Sequence, residues 1–370
     1  MISVFGSKVG QEEIKEVSES INKQWMGMGP KVKKFEETYK KRTSLENFIM
    51  VDSGSNALYL AIELLDLPKG SEIIVPSFTW VSCAQAVLLA GHKPIFADVD
   101  LNTMNITAQT AKNQITDNTA AIMVVHYAGL PVEMDEMMAL GLPIIEDAAH
   151  AVDSYYKGKI CGGIADVGIY SFDAVKNLAV GEGGGVASQS KELIERATRL
   201  RYCGIGKSGF EASTGGKKRW WEYAITEAHI KMNPSDIAGA IGVAQLAKLD
   251  YLQSYRKEIW DRYQKAFKDI DWLELPVEAK DGDKHSYFTY AIRVTNGKRD
   301  ELAHYLLEKK IYTTLRYHPL HLNELYGQMD KRLPNSERLN DEALSIPLHP
   351  SMSEEDILKV IEEIKNFKDK

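Results

Sequence analysis

An aspartate and a lysine in the middle of the chain have side chains that could do chemistry together. Asp147 stands in the segment EDAAH, and Lys176 stands in SFDAVKNLAVGEGGG. Pyridoxal phosphate chemistry needs a lysine amine that holds the cofactor's aldehyde as a Schiff base, and a carboxylate that keeps the pyridine nitrogen protonated so that the ring can withdraw electrons. Taken alone, the acid could cap a helix and the lysine could be solvated, so their setting in the fold decides between the two interpretations.

Each of the two residues follows a short apolar run that is typical of a buried strand. Residues 142–145 (LPII) precede Asp147, and residues 167–172 (VGIYSF) precede Lys176. Open α/β sheets bind their ligands at the carboxyl ends of the strands. We therefore expect Asp147 to point into a site, with Lys176 in a glycine-rich loop beside it and the hydroxyl of Ser171 available to a phosphate.

A third segment, VDSGSNALYLAIELL at residues 51–65, predicts a strand end, a turn of small residues and an apolar helix. The turn SGSN would lie at the helix N-terminus, where free N–H groups and the positive end of the helix dipole attract an anion. Ser and Asn are also ordinary N-cap residues, so capping is the alternative interpretation. The segment predicts a candidate phosphate site.

Composition excludes several classes of partner. The chain has 370 residues, 44% of them hydrophobic, and a net charge of −7. It can bury a sizeable core, and its charge argues against bulk binding of nucleic acid or of an anionic membrane surface. The three cysteines are scattered without CxxC spacing, which predicts a reducing compartment and no zinc or other metal site. We find no signal-like or membrane-spanning apolar run and expect a cytoplasmic protein.

Strand-like runs alternate with helical stretches to about residue 200, which predicts an α/β fold with a mostly parallel sheet wrapped by helices. A helical passage over residues 236–269 and a strand at 287–294 suggest a large domain at 1–250 and a smaller α+β domain at 251–370. Residues 204–226 predict a long loop near the active site. The GIGKSG sequence in this loop formally fits GxGxxG, but a helical stretch precedes it where a dinucleotide site requires a strand.

A series of motifs runs in order from end to end of the chain: SGSNAL, VPSFTWVS, FADVD, VVHYAGLP, EDAAH, SFDAVKNLAVGEGG, SDIAGAIGVAQL and LSIPLHPSMSEED. Together they resemble the DegT/DnrJ/EryC1/StrS family of sugar aminotransferases, which have the type I PLP-dependent transferase fold of aspartate aminotransferase. The resemblance implies pyridoxal 5'-phosphate (PLP) as cofactor. It assigns the Schiff-base lysine to Lys176 and the partner of the pyridine nitrogen to Asp147.

The resemblance also implies roles for other residues. An aromatic that stacks on the cofactor ring falls at Trp80, although a Trp in such a stretch is by itself more often a core residue. The phosphate cradle falls at Ser55, Asn56 and Ser171. His150 stands where many relatives carry Gln, near the cofactor's phenolic oxygen.

Two further groups of residues are implied by the resemblance. Lys231 and Asn233 match polar residues that reach the partner subunit's cofactor phosphate, which implies a homodimer with shared active sites; without the family they read equally as a surface lysine and a turn residue. The second group is implied to contact the substrate and consists of Tyr127, Arg316, His318 and His321. The two histidines lie in a Pro-containing loop and could equally be structural.

The implied reaction is a ping-pong transamination from glutamate to a keto sugar. In this family the acceptor is most often a nucleotide-linked 4-keto-6-deoxyhexose or 3-keto hexose. The amino sugars formed would serve the synthesis of O-antigen, other surface polysaccharide (such as lipopolysaccharide) or secondary metabolites. A cyclitol or a sugar phosphate is an alternative acceptor. A sugar dehydratase of this family would carry His where Lys176 stands. A non-enzymatic regulator would be favoured if Lys176 or Asp147 were missing. The nucleotide's base and the aminated carbon depend on loops around Thr79, Tyr127, residues 219–223 and His318.

Overall fold

A seven-stranded sheet organises the larger part of the computed structural model, which describes residues 1–206 and 223–367. Its strands lie in the order β1-β9-β8-β5-β4-β2-β3. The five strands from β8 to β3 are mutually parallel, and β9 runs antiparallel to both of its neighbours. The strands are β1 (Asn47–Val51), β2 (Glu72–Pro76), β3 (Lys93–Ala97), β4 (Thr119–Val125), β5 (Ile144–Asp147), β8 (Val167–Ser171) and β9 (Gly184–Ser188). A separate hairpin of β6 (Tyr155–Tyr156) and β7 (Lys159–Ile160) comes between β5 and β8 in the sequence.

Helices alternate with these strands along the chain. The helices of the first 206 residues are α1 (Gln11–Asn22), α2 (Pro30–Thr43), α3 (Gly54–Leu64), α4 (Ser82–Leu89), α5 (Ala108–Lys112), α6 (Met134–Met138) and α7 (Lys191–Leu200). Those after residue 222 are α8 (Asp236–Ala247), α9 (Leu249–Phe267), α10 (Arg299–Glu308), α11 (Pro334–Glu342) and α12 (Glu354–Asn366). None of these described helices is both long and apolar enough to cross a membrane.

Apolar residues on both faces explain why the sheet is covered on both sides. The strand sequences IIVP, IMVV and VGIY are continuous apolar runs, as expected of parallel strands buried between two helical layers. One cluster of buried side chains packs α2 and α8 against the sheet, and a second packs α3, α4 and α7 against the opposite face. The mostly parallel α/β fold predicted from the sequence is confirmed.

A second, smaller sheet stands apart from the first. It is antiparallel, with the order β10 (Leu273–Glu274), β11 (Tyr290–Val294) and β12 (Ala343–Ile346). A separate buried cluster packs it against α9, α10 and α12, and Ile2 from the chain's beginning joins that cluster. The boundary at residue 250 stays a prediction. The small sheet lies wholly after that residue, but the N-terminal segment crosses over to it.

Candidate active site

The carboxyl ends of β5 and β8 bring the predicted residues together. Asp147 is the last residue of β5 and pairs with Ile169 of the parallel strand β8, which ends at Ser171. Ser171 in turn pairs with Gly184 of β9, and Gly184 pairs with the end of β1. Because α3 begins directly after β1, its N-terminus lies at the same edge of the sheet.

Glycines let α3 approach this edge closely. A Cβ atom added at Gly54 would lie 2.7 Å from the Cβ of Ser171, and one added at Gly184 would lie 2.3 Å from the carbonyl oxygen of Ser53. Ser53 caps α3 by accepting a hydrogen bond from the backbone N–H of Asn56 at 3.2 Å. The N-terminus of α3 thus presents N–H groups and hydroxyls to a cavity of about 380 Å³.

Lys176 lines this cavity from the loop that follows β8. Its Nζ lies 4.7 Å from the centre of the Phe288 ring. No carboxylate of the described residues forms an ion pair with it. Burial of the amine, together with the positive charge of Arg316, lowers the pKa of Lys176 to about 8. About a tenth of the amine is therefore neutral and nucleophilic at pH 7, and about half of it at pH 8.

Asp147 faces the amine from the end of β5 with few hydrogen bonds to satisfy it. Its Oδ1 accepts from the N–H of Ala149 at 2.9 Å, and its Oδ2 accepts from the thiol of Cys83 at 3.2 Å. Burial raises the pKa of Asp147 despite these donors, and burial also raises the pKa of the Cys83 thiol well above its usual range. The carboxylate is thus poised to receive a cationic N–H from a ligand, because such a partner would offset the cost of its burial.

Glu146, the residue before Asp147, points to the opposite face of the sheet. Its oxygens accept backbone N–H bonds from Gly162 and Ile164, both at 2.7 Å, and it lies 3.2 Å from Nε2 of the buried His126. Successive side chains of a strand alternate between the two faces of the sheet. Glu146 therefore stabilises the loop on one face, while Asp147 lines the cavity on the other.

Residues 314–317, which precede the small sheet's last strand in the sequence, also line the cavity. Arg316 is buried, and its Cζ lies 5.0 Å from the ring centres of both Phe5 and Phe288. Among the described residues no carboxylate pairs with this guanidinium. Tyr317 lies next to it, and its ring centre is 5.4 Å from that of Trp80, which is 53% exposed at the mouth. The cavity therefore offers a cationic group, with aromatic walls, to a ligand anion.

His150 forms the inner wall behind Tyr317. Its ring stacks on Phe288 with a centroid distance of 4.1 Å, its Nδ1 lies 3.3 Å from the N–H of Ala128, and its Nε2 lies 3.1 Å from the Tyr317 hydroxyl. Burial lowers the pKa of His150 well below its ordinary value, so the imidazole is neutral.

Most of the predicted cofactor residues line the cavity. Those that do are Ser55, Trp80, Asp147, His150, Ser171 and Lys176. Asn56 does not; its side chain donates to Asp52 at 2.8 Å, beneath the helix terminus. Lys231 is exposed and Asn233 is half-buried, and neither lines the cavity of its own chain.

Of the four predicted substrate residues, only Arg316 lines the cavity. Tyr127 is buried behind it and donates its hydroxyl to the backbone carbonyl of Arg316. His318 is exposed and bonded to Asn340, and His321 is fully buried against Ser77 at 2.6 Å. The loop prediction for residues 204–226 lies mainly outside the described residues, as do residues 219–222 and Gly209 of the GxGxxG match.

Several residues of the cavity region were not singled out as site residues from the sequence, among them Cys83, Tyr317 and Phe5. Cys83 lies near the start of α4, and its contact with Asp147 joins residues 64 positions apart, so no local pattern indicates it. Tyr317 adjoins Arg316 in a segment already marked as substrate-facing. Phe5 gives no local signal, because only the path of the N-terminal segment brings it to Arg316.

The residues that line the cavity have the chemistry needed to bind PLP. The close approach of α3 to Ser171 forms a cradle of N–H and hydroxyl groups for a phosphate, and Ser55 Oγ lies 2.7 Å from Ser82 Oγ at its rim. Lys176, which has no ion-pair partner among the described residues, supplies an amine for the aldehyde, and Asp147 supplies a buried carboxylate for the ring nitrogen. Together these groups match the three functional ends of the cofactor.

Residues 7–365 match the DegT/DnrJ/EryC1/StrS aminotransferase family. The chain belongs to this family. It is 34% identical to the dTDP-4-dehydro-2,3,6-trideoxy-D-glucose 4-aminotransferase of Saccharopolyspora spinosa over 99% of this chain and 96% of that protein. It superposes on the crystal structure of the aminotransferase TlmJ from Streptoalloteichus hindustanus with a TM-score of 0.92, at 35% identity, covering 99% of this chain and 98% of that one.

The cofactor also follows from the family. A putative sugar aminotransferase of Streptococcus pneumoniae, solved in its PLP form, is 26% identical and superposes with a TM-score of 0.89 over 98% of this chain and 97% of that one. The aminotransferase described here is PLP-dependent, and its fold is the PLP-dependent transferase fold of these relatives, as the sequence motifs predicted.

Proposed function

We propose that this aminotransferase moves the amino group of glutamate to a nucleotide-linked keto sugar. The cavity that joins Lys176, Asp147 and the α3 cradle carries the proposal, because it offers an amine, a carboxylate and an anion site within about 380 Å³. The name of the Saccharopolyspora spinosa relative, which contains a dTDP-linked keto sugar, supports a nucleotide sugar as acceptor. A half-exposed Trp80 at the mouth suits a substrate whose nucleotide extends outwards.

When bound, PLP supplies an aldehyde that accepts amino groups and a ring that withdraws electrons from the substrate carbon. Lys176 Nζ would hold the cofactor at its aldehyde end, and as a free amine it would carry the proton to and from the reacting carbon. A pKa of about 8 suits this task, because the amine can both release and accept a proton near neutral pH. Asp147 would keep the ring nitrogen protonated.

Arg316 is the substrate contact that we propose among the four predicted residues, since its guanidinium faces the cavity without a carboxylate partner in the described part of the chain. Both glutamate and a nucleotide diphosphate are anionic, and either could pair with it.

Purified protein incubated with glutamate and a panel of keto compounds tests the proposal, with 2-oxoglutarate as the readout. The panel contains dTDP- and UDP-linked 4-keto-6-deoxyhexoses, 3-keto hexoses, a keto sugar phosphate and a keto cyclitol. We expect turnover with a nucleotide-linked sugar and none with the Lys176→Ala control. Turnover with the cyclitol or the sugar phosphate alone would contradict the nucleotide linkage.

We also propose a homodimer in which Lys231 and Asn233 serve the partner subunit's cofactor phosphate. Both lie outside their own chain's cavity, and the buried Oδ1 of Asn233 has no hydrogen-bond partner among the described residues. Asp173 and Glu182 line the cavity, so a dianionic phosphate there needs an added cation. Exposed Trp25 adds apolar surface for an interface.

Subunit mixing tests the shared site. Lys176→Ala and the double variant Lys231→Ala/Asn233→Ala should each be nearly inactive. After exchange of subunits, one site of each mixed dimer would contain every intact residue, so activity should return. Inactive mixtures with demonstrated exchange would mean that these residues serve their own subunit or no cofactor.

We further propose a cytoplasmic location and a role in supplying amino sugars for surface polysaccharide or secondary metabolites. The three cysteines are all free, as suits a reducing compartment. Cell fractionation, and analysis of surface sugars in a strain that lacks the enzyme, test these two points. Recovery of the protein outside the cytoplasmic fraction would contradict the first.

A further inference from the structure

The hydrogen bonds of His150 fix the position of its proton. Nδ1 lies 3.3 Å from the backbone N–H of Ala128, which can only donate, so Nδ1 is the acceptor. The ring is neutral because burial lowers the pKa of His150. Its single N–H is therefore on Nε2, which lies 3.1 Å from the hydroxyl oxygen of Tyr317 and donates to it.

The hydroxyl oxygen of Tyr317 thus accepts hydrogen bonds, and the hydroxyl keeps its own proton. Besides Nε2–H of His150, Arg316 Nη1 donates to the same oxygen at 3.4 Å. Burial raises the pKa of Tyr317, so the phenol is protonated. Within residues 1–206 and 223–367 no acceptor is found for this O–H, and Tyr317 lines the cavity with Lys176 and Asp147.

We propose that Tyr317 is a hydrogen-bond donor of the active site, aimed by His150 at an acceptor oxygen of the bound ligand. Two acceptors have this chemistry: the phenolic oxygen of PLP and an oxygen of the glutamate or keto substrate. Tyr317 is the binding residue, and His150 is a positioning residue that acts through it. The inference rests on the proposed function only for the identity of the substrates.

The same geometry bears on the glutamine that the family resemblance implies for many relatives at position 150. A neutral imidazole with its proton on Nε2 presents an acceptor towards Ala128 and a donor towards Tyr317. A glutamine can present the same order, with its carbonyl oxygen as the acceptor and its amide N–H as the donor. The substitution thus preserves the pattern of hydrogen bonds that holds the Tyr317 oxygen.

Matched variants of the holoenzyme test the proposal. Tyr317→Phe removes only the hydroxyl; His150→Leu removes the aiming N–H; and His150→Gln restores the acceptor–donor order. Tyr312→Phe is the control, because Tyr312 is exposed outside the cavity on the same segment. For each variant the visible absorption spectrum of bound PLP, its dissociation constant and the KM for glutamate and the acceptor sugar are measured, with thermal melting to verify folding.

If the phenolic oxygen of PLP is the acceptor, Tyr317→Phe shifts the absorption maximum and weakens PLP binding about tenfold, with no substrate present. If a substrate oxygen is the acceptor, PLP is unaffected and the KM for that substrate rises about tenfold. In either case His150→Leu changes the same quantity as Tyr317→Phe, namely PLP affinity in the first case and the substrate's KM in the second. His150→Gln keeps that quantity within about threefold of the wild type, and Tyr312→Phe leaves it unchanged. A folded Tyr317→Phe variant in which none of these quantities changes overturns the proposal. A wild-type protein that binds PLP but uses no keto sugar would refute the proposed acceptor, and leaves the PLP and glutamate measurements decisive.

Discussion

Replacing Arg316 with glutamine should move the titration of Lys176. Arg316 Cζ and Lys176 Nζ lie 5.0 Å and 4.7 Å from the centre of the same Phe288 ring, so the two charges are at most about 9.7 Å apart, the sum of these distances. At an effective dielectric constant of about 20, their repulsion is at least roughly 1.7 kcal/mol, or a little over one pKa unit. Arg316→Gln should therefore raise the pKa of Lys176 from about 8 to about 9.

The capture of PLP by the apoenzyme measures this change, because only the neutral amine attacks an aldehyde. Capture speeds up as pH rises through the pKa of Lys176. The midpoint of the rate profile should thus lie near pH 8 for the wild type and about one unit higher for Arg316→Gln. At pH 7 the variant should capture PLP roughly ten times more slowly.

The midpoint, unlike the absolute rate, is insensitive to a general loss of phosphate affinity. Arg338→Gln is the matched control, since it removes the same charge from a surface residue bonded to Glu342. An unshifted or acid-shifted midpoint for Arg316→Gln, or an equal shift in the control, would refute the assigned coupling.

Three other outcomes are expected. Borohydride reduction of the coloured holoenzyme should fix the cofactor to Lys176, and peptide mass spectrometry that finds the label on another lysine would contradict the assignment. Asp147→Ala should retain some PLP but lose turnover by several orders of magnitude, each factor of ten being about 1.4 kcal/mol; near-normal rates in both half-reactions would argue against its role. Gly168→Ala should lower the free energy of unfolding by about 3 kcal/mol, because the added Cβ would lie 1.9 Å from the carbonyl oxygen of Gly162, and a denaturant midpoint equal to that of the wild type would refute this clash.

The strand ends of the site could be predicted because their signals are local. Short apolar runs led directly to Asp147 and Ser171 at the ends of β5 and β8, and the small-residue turn led to the N-terminus of α3. The antiparallel direction of β9 left no such signal, because a buried strand of either direction is equally apolar.

The cavity wall at residues 314–317 was harder to predict because segments distant in the sequence build it. Arg316 was singled out, yet His321, five residues on, is buried against Ser77 and does not line the cavity. Spacing alone cannot tell which face of an irregular segment meets a ligand. The contacts of Tyr317 with His150 and Trp80 join residues more than 160 positions apart, so no local pattern records them.

The opposite orientations of Glu146 and Asp147 make the length of this strand critical. A single residue inserted ahead of them in β5 would turn each side chain to the other face of the sheet. The cavity would then receive a carboxylate of the correct charge, but one methylene longer, while the loop at residues 162–165 would lose the oxygens that accept its N–H groups. Natural or engineered changes in the length of this chain are therefore expected in its connections, whereas the spacing within β5 must be retained for both folding and transamination.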